Sequence, residues 1–570
     1  MKNKKYQEWL VHTLEDPDLT AELQAVKDDP EAINDRFYRD LEFGTGGLRG
    51  VIGAGTNRMN IYTVRKATQG LADHINQTCK NGSVAISYDS RHKSDVFAKE
   101  VARVCAANGV KAYLYPQLMP TPMLSFAVRD LKCSMGVMIT ASHNPAKYNG
   151  YKAYGADGCQ ITNETADAVL ANILAVDEFD SVKLADFDEA LAEGKIVYIG
   201  EDTVERYFEN VQKQSIHSEI VKASGFRVVY TPLNGTGNKP VREILKRIGI
   251  KDVTVVKEQE NPDGDFPTCP FPNPEIKQAL ELGMKYCEET GSDLLLATDP
   301  DCDRVGIAVK YQGDYKLLTG NEVGTLLLDY IASQRKAMGT LPERPLAVKT
   351  IVTTDLAARV AEKHGVELLD VLTGFKFIGE QIGRMEAAGE ADRYIFGFEE
   401  SYGYLAGTYV RDKDAVVASM LICEMAAFYS RQGKNLVDVL NELYATYGYY
   451  LCTQQSFGFE GEAGMEIMKK LMNHLRENPA DRIDGDKVIA FGDYLKNVRT
   501  DRLTGEQTHI DLPKSDVLMY EMEGGSKAVI RPSGTEPKIK VYYFILAKDE
   551  AAAREKEAHL QDSFTKLLKI

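Results

Sequence analysis

The chain has 570 residues, 44% of them hydrophobic, and a formal net charge of −16 at pH 7. At roughly 150 residues per domain, this length predicts about four domains with packed cores. The acidic charge disfavours nucleic acid and anionic membranes as partners, so a phosphate group would have to be bound in a local basic pocket. Nine cysteines without a C-x-x-C pair favour reduced thiols in the cytoplasm.

The N-terminal segment, MKNKKYQEWLVHTLEDPD, predicts helices and no leader. It contains basic residues but no apolar h-region, and no later stretch has about 18 consecutive apolar residues. Asp16-Pro17 and Asp29-Pro30 each place a capping carboxylate before a proline at the first position of a helix. We therefore expect helices on the outside of the first domain, without secretion or membrane spanning.

Beyond the first forty residues, short apolar runs alternate with longer amphipathic segments, as in residues 83–88 followed by 95–107. This alternation predicts α/β domains with mainly parallel sheets. Residues 550–568 predict a final amphipathic helix packed on a core.

Three apolar runs end abruptly in polar loops. Residues 135–139 precede TASHNP, residues 294–297 precede TDPDCDR, and residues 394–396 precede GFEESYGY. Because ligands of open α/β sheets bind beyond the carboxyl ends of strands, these loops are expected at equivalent corners of three domains that face one cleft. A fourth loop, RPSGTEP at 531–537, follows another apolar stretch. The predicted domains are residues 1–205, 206–315, 316–448 and 449–570.

Asp299, Asp301 and Asp303 follow one of these strands at alternate positions. Three such carboxylates repel one another unless a cation neutralises them, so a divalent metal is the expected partner and a solvated acidic turn is the alternative. An EF-hand is excluded because its glycine and glutamate positions hold Arg304 and Lys310. Metal and arginine together favour a phosphoryl group as the ligand.

Ser142 lies in the loop Thr140-Ala141-Ser142-His143-Asn144-Pro145. Such a loop also fits an ordinary turn, but His143 and Lys152 add positive charge and proton-transfer groups nearby in sequence. The residues around Ser142 do not form a G-x-S-x-G elbow, so a hydrolase triad is not predicted.

Residues 531–535 combine arginine, two hydroxyls and a glycine, a composition that suits a phosphate cradle as well as a plain turn. The glycine-rich segment at 43–50 misses both the dinucleotide and the Walker A spacings, so neither NAD nor ATP is predicted. Residues 399–401 offer carboxylates and a hydroxyl for sugar hydroxyls, or an acidic surface turn. Residues 373–376 and 411–414 add cations in the same third of the chain.

Together these loops resemble the α-D-phosphohexomutase family over nearly the whole chain and in the expected order. TASHNP resembles the phosphoserine loop, TDPDCDR the metal loop, GFEES the sugar loop and RPSGTEP the phosphate loop. The resemblance implies a four-domain α/β architecture around a central cleft. Three similar domains with mainly parallel mixed sheets would be followed by a smaller C-terminal α+β domain.

The resemblance also implies roles for individual residues. Ser142 would carry the phosphoryl group, with His143, Lys152 and Arg304 as its catalytic neighbours. One Mg²⁺ would be bound by Asp299, Asp301, Asp303 and an oxygen of phosphorylated Ser142. The implied substrate-binding residues are Thr45, Arg49, Thr373, Gly374, Lys376, Glu399, Ser401, Lys413, Arg531, Ser533, Gly534 and Thr535.

Two departures from the family pattern bear on the substrate. Gly46 replaces the serine of F-G-T-S-G-L-R-G, and Tyr402-Gly403 replaces Gly-His after the sugar loop. The second departure weakens a phosphomannomutase interpretation. The segment at 373–376 and the long N-terminus resemble the bacterial α-phosphoglucomutase branch, which includes phosphopentomutases.

We therefore predict interconversion of α-D-glucose 1-phosphate and glucose 6-phosphate, with glucose 1,6-bisphosphate as intermediate and activator and a hexose phosphate as the partner. The protein is expected to be a monomer or weak homo-oligomer. Alternatives within the family are pentose, mannose or bisphosphate-synthase activity. Outside it, Asp301 could be the nucleophile of an aspartyl-phosphate phosphatase, or the chain could be a non-catalytic sugar-phosphate-binding scaffold.

Overall fold

The computed structural model describes residues 4–12, 14–44, 46–459, 461–533 and 538–568. Within these ranges the secondary structure forms four sheets with helices packed on them. None of the described helices has the length and apolar composition needed to cross a membrane.

The first sheet has the strand order β1-β5-β4-β2-β3-β6. Its strands are β1 Leu48–Val51, β2 Ser83–Tyr88, β3 Lys111–Leu114, β4 Met135–Ile139, β5 Tyr148–Gly155 and β6 Ile196–Tyr198. Its helices are α1 Lys4–Val11, α2 Pro17–Ala25, α3 Pro30–Phe37, α4 Ile61–Thr78, α5 Ser94–Ala107, α6 Thr121–Asp130, α7 Asn163–Leu174, α8 Phe187–Ala192 and α9 Glu201–Gln212. Strand β4 pairs in parallel with β2 and antiparallel with β5, so the sheet is mixed.

The second sheet repeats this plan with the order β11-β10-β9-β7-β8. Its elements are α10 Ser218–Ser224, β7 Arg227–Thr231, α11 Asn238–Ile248, β8 Asp252–Val255, α12 Lys277–Thr290, β9 Leu294–Thr298, β10 Val305–Tyr311 and β11 Asp314–Leu318. Strand β9 pairs in parallel with β7 and antiparallel with β10, as β4 does with its neighbours. All residues of β4 and β9 are buried, which explains their uninterrupted apolar sequences.

The third sheet has the order β13-β12-β14-β15 and the fourth is the β-rich C-terminal sheet β16-β23-β22-β21-β18-β19-β20, with β17 beside β18. The third group consists of α13 Gly320–Ala337, β12 Leu346–Thr350, α14 Leu356–His364, β13 Glu367–Val371, α15 Phe375–Ala387, β14 Tyr394–Glu399, β15 Gly403–Leu405, α16 Ala415–Ser430 and α17 Leu436–Tyr447. The fourth consists of β16 Tyr449–Gly458, α18 Gly461–Glu477, β17 Arg482–Ile483, β18 Asp486–Asp493, β19 Val498–Asp501, β20 Gln507–His509, β21 Leu518–Met522, β22 Lys527–Pro532, β23 Lys538–Ala547 and α19 Glu550–Leu567. The predicted final helix packs Ala553, Leu560 and Phe564 into the core of this sheet.

The chain forms two compact units. Unit 1 comprises Met1–Thr319, Ile378–Phe396 and Ser401–Asn435, and unit 2 comprises Gly320–Phe377, Gly397–Glu400 and Leu436–Ile570. The predicted domain boundaries near 205, 315 and 448 remain predictions.

The N-terminal helices of unit 1 are tied to the first domain by Trp9 and Glu178. Trp9 is fully buried and makes edge contacts with the rings of Phe37, Tyr62 and Phe179. The buried Glu178 carboxylate accepts a hydrogen bond from Trp9 Nε1 at 3.4 Å and pairs with Lys5 Nζ at 3.0 Å. The ion pair between Lys5 and Glu178 and the aromatic contacts of Trp9 together hold helix α1 in place.

Asp29→Ala should weaken helix α3 by about 1 kcal/mol, because the Asp29 side chain accepts a hydrogen bond from the Ala32 amide at 2.9 Å. Amide hydrogen exchange in α3 should then become roughly fivefold faster. The matched control is Asp28→Ala, which removes an exposed aspartate one position earlier. Equal exchange in both variants would contradict the capping role.

Candidate active site

Ser142 lies in a tight turn between β4 and β5. Ser142 is 4% exposed, and its backbone is left-handed, with φ 54°. Left-handed backbone costs about 1 kcal/mol or more for a residue other than glycine, so the surroundings have to hold it. The Thr140 hydroxyl does so in part by accepting a hydrogen bond from the Ser142 amide at 2.8 Å.

The three aspartates occupy the corresponding turn between β9 and β10. All three are buried, and one ligand oxygen from each lies within 4.8 Å of the others. Asp299 Oδ1 accepts hydrogen bonds from the amides of Asp303 and Arg304, each at 3.0 Å. The Ser142 hydroxyl donates a hydrogen bond to Asp299 Oδ2 at 3.1 Å, which joins the two turns.

Two lysines offset part of this negative charge, and a threonine donates a hydrogen bond to one of the carboxylates. Lys152 Nζ lies 2.8 Å from Asp301 Oδ2 and 3.5 Å from Asp303 Oδ2, and Lys413 Nζ lies 3.3 Å from Asp303 Oδ2. Thr121 Oγ1 also donates to Asp301 Oδ2, at 3.0 Å. Burial alone would lower the pKa of Lys152, but Asp301 and Asp303 raise it above its ordinary value, so the lysine is charged.

The carboxylates fit a metal ion. Asp301 Oδ1 and Asp303 Oδ1 are buried and have no hydrogen-bond donor among the described residues. A buried carboxylate oxygen left in this way costs free energy unless a cation binds it. Oxygen ligands within 4.8 Å of one another can surround one hard divalent ion. The three aspartates can therefore bind a metal.

Two arginines, Arg304 and Arg49, add positive charge near Ser142, and the imidazole of His143 lies beside its hydroxyl. Arg304 forms an ion pair with Glu275, and Arg49 Nη1 donates to Asn144 Oδ1 at 3.4 Å. His143 Nδ1 lies 3.2 Å from Ser142 Oγ. Burial, with Arg304 and Arg49 nearby, moves the pKa of His143 well below its ordinary value. The imidazole is therefore neutral at pH 7, whereas the sequence analysis expected it to supply positive charge.

Asp299 should make the metal-free fold less stable as the pH rises above about 4. Burial, with Asp301 and Asp303 nearby, raises the pKa of Asp299 well above its ordinary value. The folded state then binds more protons than the unfolded state between the unfolded pKa of about 3.9 and the folded pKa, so stability falls across that window. Lys152 holds the pKa of Asp301 below its ordinary value although burial opposes this. Protonation of Asp301 therefore changes the stability only at lower pH.

The check is urea denaturation with a chelator at about pH 4.5 to 7. Relative to Asp299→Asn, the wild type should lose free energy of unfolding as the pH rises, because the variant lacks only this titrating carboxyl. Asp252→Asn, at an exposed aspartate, should follow the wild type. Parallel pH profiles for wild type and Asp299→Asn would contradict the assignment.

Unit 2 contains a second group of predicted residues. Glu399 is the last residue of β14 and is buried, so it lies in the strand and not in the loop where the sequence analysis put it. Burial raises the pKa of Tyr542 to about 12, with Glu400 and Glu399 adding to the shift and a hydrogen bond from Arg531 opposing it. The sugar-loop carboxylates and the arginine of the phosphate loop therefore lie around one tyrosine.

The remaining predicted residues of unit 2 flank helix α15 and strand β22. Gly374 has φ 120°, a conformation that favours glycine, and Lys376 is in the first turn of α15. Thr373 Oγ1 is buried without a hydrogen-bond partner among the described residues. The Ser533 amide donates to the Lys538 carbonyl at 2.8 Å. Thr45, Gly534 and Thr535 lie outside the described residues, and Ser401 belongs to unit 1.

Four further residues contact the site without belonging to the predicted set, namely Asp89, Arg91, Thr121 and Glu275. Arg91 donates hydrogen bonds to the carbonyl oxygens of Ser142 and Asn144 from behind the serine turn. Its segment, Asp89-Ser90-Arg91, has the composition of an ordinary turn, so only its position after β2, the neighbour of β4, could have identified it.

Solved structures share this fold. A phosphoglucomutase/phosphomannomutase family protein from Burkholderia thailandensis matches with a TM-score of 0.66 at 18% identity, over 92% of this chain and 96% of that one. Pp63/parafusin (phosphoglucomutase) from Paramecium matches with a TM-score of 0.69 at 16% identity, over 93% and 96%. These likenesses define the class of fold, three α/β/α domains with mixed sheets followed by a β-rich domain.

Family models and curated relatives agree on the family. The models of phosphoglucomutase/phosphomannomutase α/β/α domains I, II and III match residues 40–180, 205–313 and 319–447. Phosphoglucomutases of Staphylococcus saprophyticus and Staphylococcus aureus are 36% and 37% identical to this chain, over 90% of it in both cases and over 92% and 91% of their own lengths. The chain belongs to the phosphoglucomutase/phosphomannomutase family, and it is a mutase that transfers a phosphoryl group within its substrate.

Proposed function

We propose that the protein interconverts α-D-glucose 1-phosphate and glucose 6-phosphate, with Ser142 as the phosphate carrier and glucose 1,6-bisphosphate as the intermediate. The observation that carries the proposal is the 3.1 Å hydrogen bond from Ser142 Oγ to Asp299 in the buried aspartate group. The hydroxyl therefore lies beside the carboxylates that we propose as the metal ligands. The relatives named phosphoglucomutase favour glucose as the sugar.

Phosphorylated Ser142 gives its phosphoryl group to O6 of glucose 1-phosphate, so the Oγ–P bond breaks as the O6–P bond forms. The proton of the O6 hydroxyl passes to Ser142 Oγ, and neutral His143, whose Nδ1 is 3.2 Å from Oγ, is placed to move it. The bisphosphate then reverses its orientation in the site, and its 1-phosphoryl group passes to Ser142, so the O1–P bond breaks as a new Oγ–P bond forms and the Oγ proton passes to O1. Glucose 6-phosphate leaves.

The other residues position groups and neutralise charge, which is most of what phosphoryl transfer requires of a protein. We propose that Asp299, Asp301 and Asp303 hold Mg²⁺, which would supply Lewis-acid stabilisation of the phosphoryl oxygens. Lys152, Arg304, Arg49 and Lys413 offset the charge of the phosphates. In unit 2, Glu399 would bind sugar hydroxyls, and Arg531 with Ser533 would bind the phosphate that does not react.

A coupled assay that compares glucose, mannose and ribose 1-phosphates side by side, with Mg²⁺ and trace glucose 1,6-bisphosphate, tests the proposal. We expect the highest kcat/KM for glucose 1-phosphate. A higher value for mannose or ribose 1-phosphate would refute the glucose assignment, and no turnover of any of them would favour the scaffold alternative.

We also propose a cytoplasmic location and a monomeric or weakly oligomeric state. All nine cysteines are free thiols, which supports a reducing compartment.

A further inference from the structure

Arg91 is buried directly behind the turn that carries Ser142. Its side chain is fully buried and donates hydrogen bonds to four backbone carbonyls. Nη1 bonds to the Pro145 and Tyr148 oxygens at 3.0 and 3.1 Å, and Nη2 bonds to the Ser142 and Asn144 oxygens. One guanidinium thus donates hydrogen bonds to four carbonyls between residues 142 and 148.

The arginine is itself held on two sides. Asp89 Oδ2 lies 3.2 Å from Arg91 Nε, and the same carboxylate oxygen accepts a hydrogen bond from Thr140 Oγ1 at 2.6 Å. Thr140 Oγ1 in turn accepts from the Ser142 amide. The ring of Phe266, from the second domain of unit 1, stacks on the guanidinium at 5.2 Å. The Arg91 clamp, formed by Asp89, Arg91 and Thr140, therefore binds both the amide and the carbonyl of Ser142.

We infer that the Arg91 clamp is a positioning device that fixes the left-handed backbone of Ser142 and so aims its Oγ at the aspartate group. Arg91 acts through the turn, since its side chain contacts backbone carbonyls, Asp89 and Phe266. The inference rests on the proposed role of Ser142 as phosphate carrier. It adds to that proposal a set of residues that determines where the carrier oxygen lies.

The chemistry of the clamp requires arginine. Two carbonyls accept from Nη1 and two from Nη2, which matches the planar fork of a guanidinium, whereas a lysine ammonium offers three donors from one atom. Release of the turn would let Ser142 leave φ 54°, which a residue other than glycine adopts only under constraint. A displacement of about 1 Å at a reacting atom costs roughly 100-fold in rate. The affinity for the sugar phosphate should change much less.

The test measures phosphorylation of Ser142 by glucose 1,6-bisphosphate in rapid-quench single turnovers, with intact-mass detection, on the full-length protein. Arg91→Ala should slow this step by roughly 100-fold while KM for glucose 1-phosphate changes by less than about threefold. Guanidinium ion at a non-denaturing concentration should restore part of the rate. Arg91→Lys should stay slow, because it keeps the charge without the fork.

Arg65→Ala is the matched control. Arg65 is another buried arginine of the first domain, paired with Glu15 and Glu100. Its loss should reduce stability without changing the phosphorylation rate of the folded protein, and guanidinium should have no effect on that rate. Thr140→Val removes only the bonds of the hydroxyl and should slow phosphorylation about 10-fold, which decides the matter if Arg91→Ala does not fold.

Wild-type rates of phosphorylation in both Arg91→Ala and Thr140→Val would overturn the inference and leave the proposed function intact. Wild-type protein that never acquires a phosphoryl group on Ser142 would overturn the proposed function and the inference together. Slow phosphorylation with an unchanged KM and partial guanidinium rescue would support the clamp.

Discussion

Ser142→Ala should lower mutase turnover by at least about 10⁴-fold, because the variant has no oxygen to carry the phosphoryl group. The effect should be on kcat, since the hydroxyl hydrogen-bonds to Asp299 and the other predicted binding residues are unchanged. The measurement pairs the coupled glucose 1-phosphate assay with intact-mass analysis after incubation with glucose 1,6-bisphosphate. Wild-type protein should hold one stable phosphoryl group that the variant lacks.

Ser134→Ala is the control, since Ser134 is a partly buried serine of the same domain that accepts a hydrogen bond from the Ser83 amide. It should keep both its phosphoryl group and its turnover. Normal turnover in Ser142→Ala would contradict the role of Ser142 as phosphate carrier and favour the alternative in which Asp301 is the nucleophile.

Asp301→Asn should lower kcat by roughly 10³-fold and weaken Mg²⁺ binding. The substitution removes a carboxylate charge from the metal group and leaves Lys152 without its 2.8 Å ionic partner. Calorimetric titration with Mg²⁺, or Mn²⁺ binding followed by electron paramagnetic resonance, checks the metal independently of activity. Thermal denaturation gives a second readout, because Mg²⁺ should raise the Tm of the wild type more than that of the variant.

The exposed Asp252→Asn keeps the metal group intact and should match the wild type in each measurement. Equal Mg²⁺ affinity in wild type and Asp301→Asn would remove Asp301 from the metal site. Unlike Ser142→Ala, the Asp301 variant should still carry some phosphoserine, because its carrier oxygen is present.

Much of the fold follows from local patterns in the sequence. Apolar runs at 135–139 and 294–297 predict buried strands, and β4 and β9 occupy them. Aspartate-proline pairs predict the starts of α2 and α3, where Asp16 and Asp29 cap the helices. The predicted α-D-phosphohexomutase family, the four-domain architecture and the mutase activity are confirmed by the family models and the relatives.

The site is harder to predict from the sequence than the fold, because its contacts join segments that are distant along the chain. Arg91 and Ser142 are 51 positions apart and meet only because β2 and β4 are neighbours in the sheet. The neutral state of His143 depends on burial beside two arginines, which no local pattern reveals. The loop position expected for Glu399 is wrong because β14 continues three residues beyond the apolar run. The predicted roles of the site residues remain predictions.

Trp9 is the only tryptophan in the sequence, and it is buried among aromatic rings and Glu178 of the first domain. Its fluorescence therefore reports on a single place, the docking of helix α1. Glu178 follows Trp9 by 169 residues, so during synthesis the helix reaches this partner only after most of the first domain has left the ribosome. Tryptophan emission can thus follow completion of that domain without an added label, while unfolding confined to unit 2 would pass unseen.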